Sequence, residues 1–179
     1  DLEIENRRHR EKLEELVEER TRELVDAHQV LQVCQEETIR RLSIASEYRD
    51  TETGEHIQRM SRYSALLAEL LGLDPSFVEL VRMASPLHDV GKIATPDSIL
   101  RKPGKHTPEE FEKMKEHAEA GYRMLAGTGI PLLETAAVIA YCHHEKWDGS
   151  GYPRGLAGED IPLEGRITAM ADVFNALTA

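Results

Sequence analysis

A chain of 179 residues with 40% hydrophobic side chains can hold one domain with a real core and one extra element. Its net charge of −11 argues against a nonspecific nucleic-acid binder, which would show a basic face; an anionic substrate stays open, because bound metal ions invert the local field. No apolar run of about 18 residues and no signal-peptide pattern occur, so no membrane span is expected, and two cysteines, Cys34 and Cys142, are too few for a disulfide framework and fit the reducing cytoplasm.

Residues 1–41 are charge-rich and lack Gly and Pro. Leu13, Val17, Leu24, Ala27, Leu31 and Cys34 recur at steps of four and three, as heptad a and d positions do. Arg20 interrupts the series, and Thr38 and Arg41 weaken its end. Such a narrow apolar stripe has little to bury alone, so the segment is expected to pair with a second copy in a coiled-coil homodimer. The other reading is one long helix lying on its own domain. VEERTRELVDAH is similar to signalling helices that connect a sensor to an output domain. The chain opens at Asp1 and stops in mid-pattern at Ala179, and so reads as a piece of a longer protein.

Composition changes at Leu42. Residues 44–73 read as one or two helices with a break near Gly54 and an end at Gly72. Asp74-Pro75 is a cap followed by proline at the first helical position, and the helix it opens runs towards His88, with Pro86 kinking or restarting it. A Pro- and Gly-punctuated loop over 95–107 leads to Thr107-Pro108-Glu109-Glu110, a capping box. That helix carries Phe111, Met114 and Met124 and ends near Gly127. Pro131 opens LLETAAVIAYCHH, apolar almost all round and therefore buried. A glycine-rich structured loop over 147–165 precedes the last helix, GRITAMADVFNALTA. No strand pattern or internal repeat stands out, so the fold is expected to be all-α, with residues 1–41 as a coiled-coil helix and 42–179 as the domain.

Of eight histidines, His9 and His28 fall in the charged helix and His106 in a loop, and these read as solvated. His56, His88, His117, His143 and His144 sit on or at the ends of helices beside apolar sequence, together with Glu52, Asp89 and Asp172. One such histidine is more often structural than a ligand. So many ionisable groups in one all-α domain are costly to bury without partners, and metal coordination removes that cost. Glu52 and His56 are four apart and share a helical face. His88 and Asp89 are adjacent, and so diverge by about 100° on a helix, which suits a site with more than one ion. The same holds for His143 and His144. A mixed imidazole and carboxylate set favours Fe or Mn over Mg or structural Zn.

PLHDVGKIATP and HHEKWDGSGYP together resemble the HD-GYP domains, a branch of the HD metal-dependent phosphohydrolases, over about residues 42–179. The resemblance implies an HD-type helical bundle whose C-terminal part continues past Ala179 with phosphate-gripping basic residues. It implies a dinuclear centre of His88, Asp89, His117, His143, His144 and Asp172, in which Asp89 bridges. Glu52 and His56 match the arrangement by which some members add a third ion; two ions, with Glu52 a surface residue, is the alternative. Lys92, in the HDxGK pattern, is expected to contact the scissile phosphate or the attacking water. Asp89 and Lys92 are thus the candidate catalytic residues, and Lys92, Tyr152 and Gly151 the candidate substrate contacts. Gly149 and Gly151 are expected to supply unusual backbone angles. Glu145 and Asp148 are expected to hold the loop, and Trp147 to pack, with stacking on a base the alternative.

The activity implied is hydrolysis of cyclic di-GMP to linear pGpG, GMP or both, as the output of a bacterial signalling protein. Diguanylate cyclases (GGDEF proteins) are the implied partners of the GYP loop. Two rivals stand beside it. One is an inactive module that binds a cyclic dinucleotide or a protein; the other is a hydrolase acting on a different cyclic dinucleotide. Asn175 stands where members of the family usually carry Asp, a change expected to reach metal affinity through an outer contact.

Overall fold

A computed structural model describes residues 1–49 and 54–178. Its elements are α1 (Leu2–Glu47), α2 (Gly54–Leu70), α3 (Pro75–Ala84), the single turn α4 (Asp97–Leu100), α5 (Pro108–Leu125), α6 (Pro131–Cys142) and α7 (Leu163–Thr178). Short 3₁₀ turns cover Ser85–Leu87, Val90–Ala94 and Gly158–Asp160. Among the described residues there is no strand, only an isolated bridge between Asp148 and Ala157, so the fold is all-α as expected. None of the helices is long and apolar enough to cross a membrane.

The chain divides into two compact units, residues 1–38 and 39–179. In the first, every residue through Gln35 is exposed, including Leu13, Val17, Leu24 and Leu31. Surface ion pairs at helical spacing, Arg7 with Glu11 and Glu18 with Arg22, line the flanks. Each contributes about 0.3–0.5 kcal/mol, too little to hold a helical stretch in which no residue through Gln35 is buried.

Helix ends in the second unit follow from local chemistry. Gly72, at φ +70°, closes α2: its N–H reaches the Glu69 carbonyl, and Leu73 N–H reaches Ala68. Asp74 caps α3 by accepting from Ser76 N–H at 2.8 Å. Thr107 and Glu110 complete the capping box of α5, with Thr107 N–H donating to Glu110 Oε2 at 2.7 Å and Glu110 N–H donating to Thr107 Oγ1 at 3.3 Å.

Two apolar clusters fill the domain. One joins Ala84, Leu87 and Val90 to Leu125 of α5 and to Ala136, Ala137, Ile139 and Ala140 of α6. The other joins Ala65 and Ala68 of α2, Val78 and Val81 of α3, and Ile167 of α7. The alanines bring backbones close. Gly165 continues this between α6 and α7, since a Cβ there would meet Cys142 Cβ at 2.8 Å. The all-round apolar reading of α6 therefore matches its buried position.

Candidate metal centre

The His-Asp pair sits where a helix is interrupted. Pro86 lacks the N–H that α3 needs to continue, and α3 stops at Ala84 rather than running to His88. The chain tightens into two 3₁₀ turns with His88 and Asp89 between them. Gly91 then lets this turn lie against α5: a Cβ there would stand 1.9 Å from the His117 carbonyl oxygen and 2.5 Å from the Gly121 nitrogen. That close approach sets Asp89 beside His117.

Asp89 is the hub. Its Oδ1 lies 3.3 Å from His117 Nε2 and 3.5 Å from His143 Nε2. Its Oδ2 lies 3.4 Å from His88 Nε2 and 2.9 Å from Lys92 Nζ. Asp89, His117, His143 and His144 each offer an atom within 4.8 Å of the others, and Glu47, His56 and His88 form a second such group.

Backbone carbonyls aim three of the rings. His88 Nδ1 lies 2.9 Å from Ser85 O, His117 Nδ1 2.6 Å from Met114 O, and His143 Nδ1 3.1 Å from Ala140 O. A carbonyl only accepts, so each Nδ1 carries a proton and each Nε2 is the atom turned inward. These three Nε2 atoms and Asp89 Oδ1 are buried and meet no hydrogen-bond geometry. Each such orphan costs about 1–3 kcal/mol in a finished core, and a cation among Asp89, His117 and His143 would satisfy three of them, with His88 in the second group. The donor set of nitrogens and a carboxylate fits a transition-metal ion.

Charge is unevenly distributed here. Burial opposes a charged His88, but Asp89 outweighs it, with Asp172 and Glu47 adding, and the pKa is raised to about 9. Burial would raise Asp89; the charges of His88 and Lys92 overcome that and hold it well below the carboxylate range. Burial pushes His117 down to about 4 and pushes His144 down as well, so both are neutral and able to ligate at neutral pH.

The loop after His144 closes on the same region. Glu145, buried, accepts the N–H groups of Arg154 at 2.8 Å and Leu156 at 3.0 Å. Asp148 accepts from Ser150 N–H and its hydroxyl. Both hold the loop, as expected. Gly149 does take a left-handed angle, φ +77°, but Gly151 does not. The need at Gly151 is space: a Cβ would meet Lys146 N at 2.3 Å and His144 O at 2.5 Å. Tyr152 lies along His144, ring centroids 4.6 Å apart, and burial raises its hydroxyl pKa, so it stays a donor. Trp147 is 65% exposed, with the Arg166 guanidinium 5.9 Å from its ring, and does not pack as expected.

Glu52, expected to share a face with His56, lies outside the described residues. Asp172 is half-buried on α7 and belongs to neither group, though its charge reaches His88 and Tyr152. His106, expected to be solvated, is half-buried, with Nε2 2.8 Å from Ile99 O. Glu47 was not singled out at all. It is 2% exposed near the end of α1, and nothing local separates it from the many solvated glutamates before it.

A family model described as HD domain matches residues 13–179. The chain belongs to the HD domain family. It is 54% identical over 141 residues to the cyclic di-GMP phosphodiesterase response regulator RpfG of Xanthomonas campestris pv. campestris, covering 79% of this chain and 37% of that protein. It is 50% identical over 143 residues to a cyclic di-GMP phosphodiesterase of Thermotoga maritima (80% and 39%), and 51% identical over 149 residues to the 3'3'-cGAMP-specific phosphodiesterase 2 of Vibrio cholerae (83% and 28%). The HD domain chain thus spans well under half the length of these curated relatives. The Asp89 cluster is one of two groups among the described residues that could hold a metal ion.

Proposed function

We propose that this HD domain hydrolyses cyclic di-GMP, to linear pGpG, GMP or both, and serves as the output of a bacterial signalling protein. The observation that supports this most is Asp89 itself: one carboxylate faced by the Nε2 atoms of His88, His117 and His143 and by Lys92 Nζ. The names of the relatives supply the substrate class. In the proposed reaction, water adds to phosphorus, the bond from phosphorus to the ribose 3′ oxygen breaks, and that oxygen takes a proton. Two or three ions, Fe or Mn, held by His88, Asp89, His117, His143, His144 and Asp172, with Glu52 and His56 for a third, would activate the water and neutralise the phosphoryl charge.

The other roles belong to side chains. Lys92, 2.9 Å from Asp89, brings a positive charge to where the phosphate would lie. Tyr152 offers a hydroxyl that keeps its proton, and Gly151 lets the loop backbone approach without a side chain. Residues 1–41 would pair two copies of the 42–179 domain through the Leu13, Val17, Leu24 and Leu31 stripe. GGDEF proteins are the proposed partners of the GYP loop. The reading places the protein in the cytoplasm, where such a substrate is made.

The test is turnover by anaerobically Mn- or Fe-loaded protein, resolving pGpG from GMP, with Asp89→Ala as control. Cleavage that the control lacks is expected. Metal bound but no cleavage, with the control indistinguishable, would sink the enzyme and leave a binding module. Likeness to a 3'3'-cGAMP-specific enzyme favours a second substrate, so both cyclic dinucleotides belong in the assay.

A further inference from the structure

Asn175 reads the histidine beside it in the opposite sense from the rest of the centre. It is 4% exposed on α7. Its Oδ1 accepts from Arg59 Nε at 2.5 Å, and its Nδ2 lies 2.6 Å from His56 Nδ1. A guanidinium only donates, so the amide oxygen must face Arg59 and the NH₂ must face His56. An Nδ1 that bore a proton would set two donors against each other at 2.6 Å. His56 Nδ1 is therefore the acceptor, and its proton resides on Nε2.

That is the reverse of His117 and His143, whose Nδ1–H groups face backbone carbonyls and whose Nε2 atoms face the centre. With Nδ1 engaged by Asn175, only Nε2 can serve the group that His56 forms with Glu47 and His88. There it presents an N–H. An N–H cannot ligate a cation.

We propose that Asn175, fixed by Arg59, is a positioning residue that locks His56 in the tautomer unable to bind metal, so that this chain holds two ions around Asp89 and not a third. The inference rests on the metal-centre reading above and narrows it. Asn175→Asp reverses the sense: a carboxylate still accepts from Arg59, accepts Nδ1–H from His56, and returns the Nε2 lone pair to the group.

Two measurements test it on the intact protein. The first is ¹⁵N NMR of histidine-labelled, metal-free protein, with His56 assigned by His56→Gln. The Nε2–H form is expected at His56 and the Nδ1–H form at His117 and His143; in Asn175→Asp, His56 should switch to Nδ1–H. The second is Mn²⁺ per chain by titration. Two ions are expected for the parent and three for Asn175→Asp, with the third bound roughly 10–100-fold more tightly than in the parent. Nδ1–H at His56 in the parent, or three ions in the parent, overturns the proposal. No ion in either protein, with the tautomers as stated, overturns the metal-centre reading and the ion count with it, while leaving the Asn175 lock standing.

Discussion

The Cβ that Gly91 lacks would stand 1.9 Å from the carbonyl oxygen of His117. The obstacle is backbone, not the tip of a flexible side chain, so Gly91→Ala must move the turn that carries Asp89 off α5. Overpacking of this kind costs about 1–3 kcal/mol, occasionally more. A lower urea midpoint and less metal per chain are expected together. Unchanged values for both would show that the two backbones do not need this contact.

Asp89 and Lys92 separate ligation from charge. Lys92→Met keeps every carboxylate and imidazole, so metal content should hold while kcat falls by roughly 10²–10³-fold, the range for loss of one oriented electrostatic partner. Asp89→Asn should lose metal as well, with a larger loss than the roughly 100-fold typical of an outer contact. Metal analysis beside steady-state kinetics distinguishes the two. A Lys92 variant with parental kcat would remove that residue from the reaction.

Glu145 is a loop anchor that should register in stability. Glu145→Ala leaves two backbone N–H groups, those of Arg154 and Leu156, without their acceptor, at about 1–3 kcal/mol each where water cannot replace it. Glu145→Gln keeps one acceptor oxygen and should fall between. Denaturant melts with intact m-values would read this; equal midpoints for all three proteins would contradict it.

The two thiols should behave differently. Cys34 is exposed, whereas Cys142 is buried, and burial raises its pKa to about 11. The thiolate is the reactive form, so maleimide at pH 8 should modify Cys34 and spare Cys142 until the protein is unfolded. The raised pKa also carries a sign for stability. The buried thiol's contribution is intact below the ordinary value of 9.0 and is lost as pH climbs from there through about 11. If residues 1–41 pair as proposed, labelling of Cys34 should slow as protein concentration rises. A rate independent of concentration would argue against that pairing.

Much of the fold was legible because its signals are local. Asp74-Pro75, the Thr107–Glu110 box and Gly72 each act within one turn, and the structure places them at helix ends. The histidines that converge on Asp89 could be picked out because a buried imidazole beside apolar sequence is costly without a partner. Glu47 could not, because its burial comes from what packs over it and not from its neighbours in sequence. Gly151 was misread for a related reason. Glycine meets two needs, an unusual angle or a close approach, and only coordinates show that a Cβ would strike Glu145 and Lys146. The amide of Asn175 meets a histidine 119 positions away, a distance no spacing rule spans.

The inward-facing Nε2 atoms of His88, His117 and His143 carry a further consequence. A ligand that binds the folded chain alone adds RT ln(1 + [L]/Kd) to stability, about 2.7 kcal/mol at 100 times Kd. Domains of this size are often stable by only 5–15 kcal/mol. Abundance would then follow ion supply: a cell starved of the metal would unfold and degrade the protein itself, and not merely silence it, so that iron or manganese status would be written into its half-life.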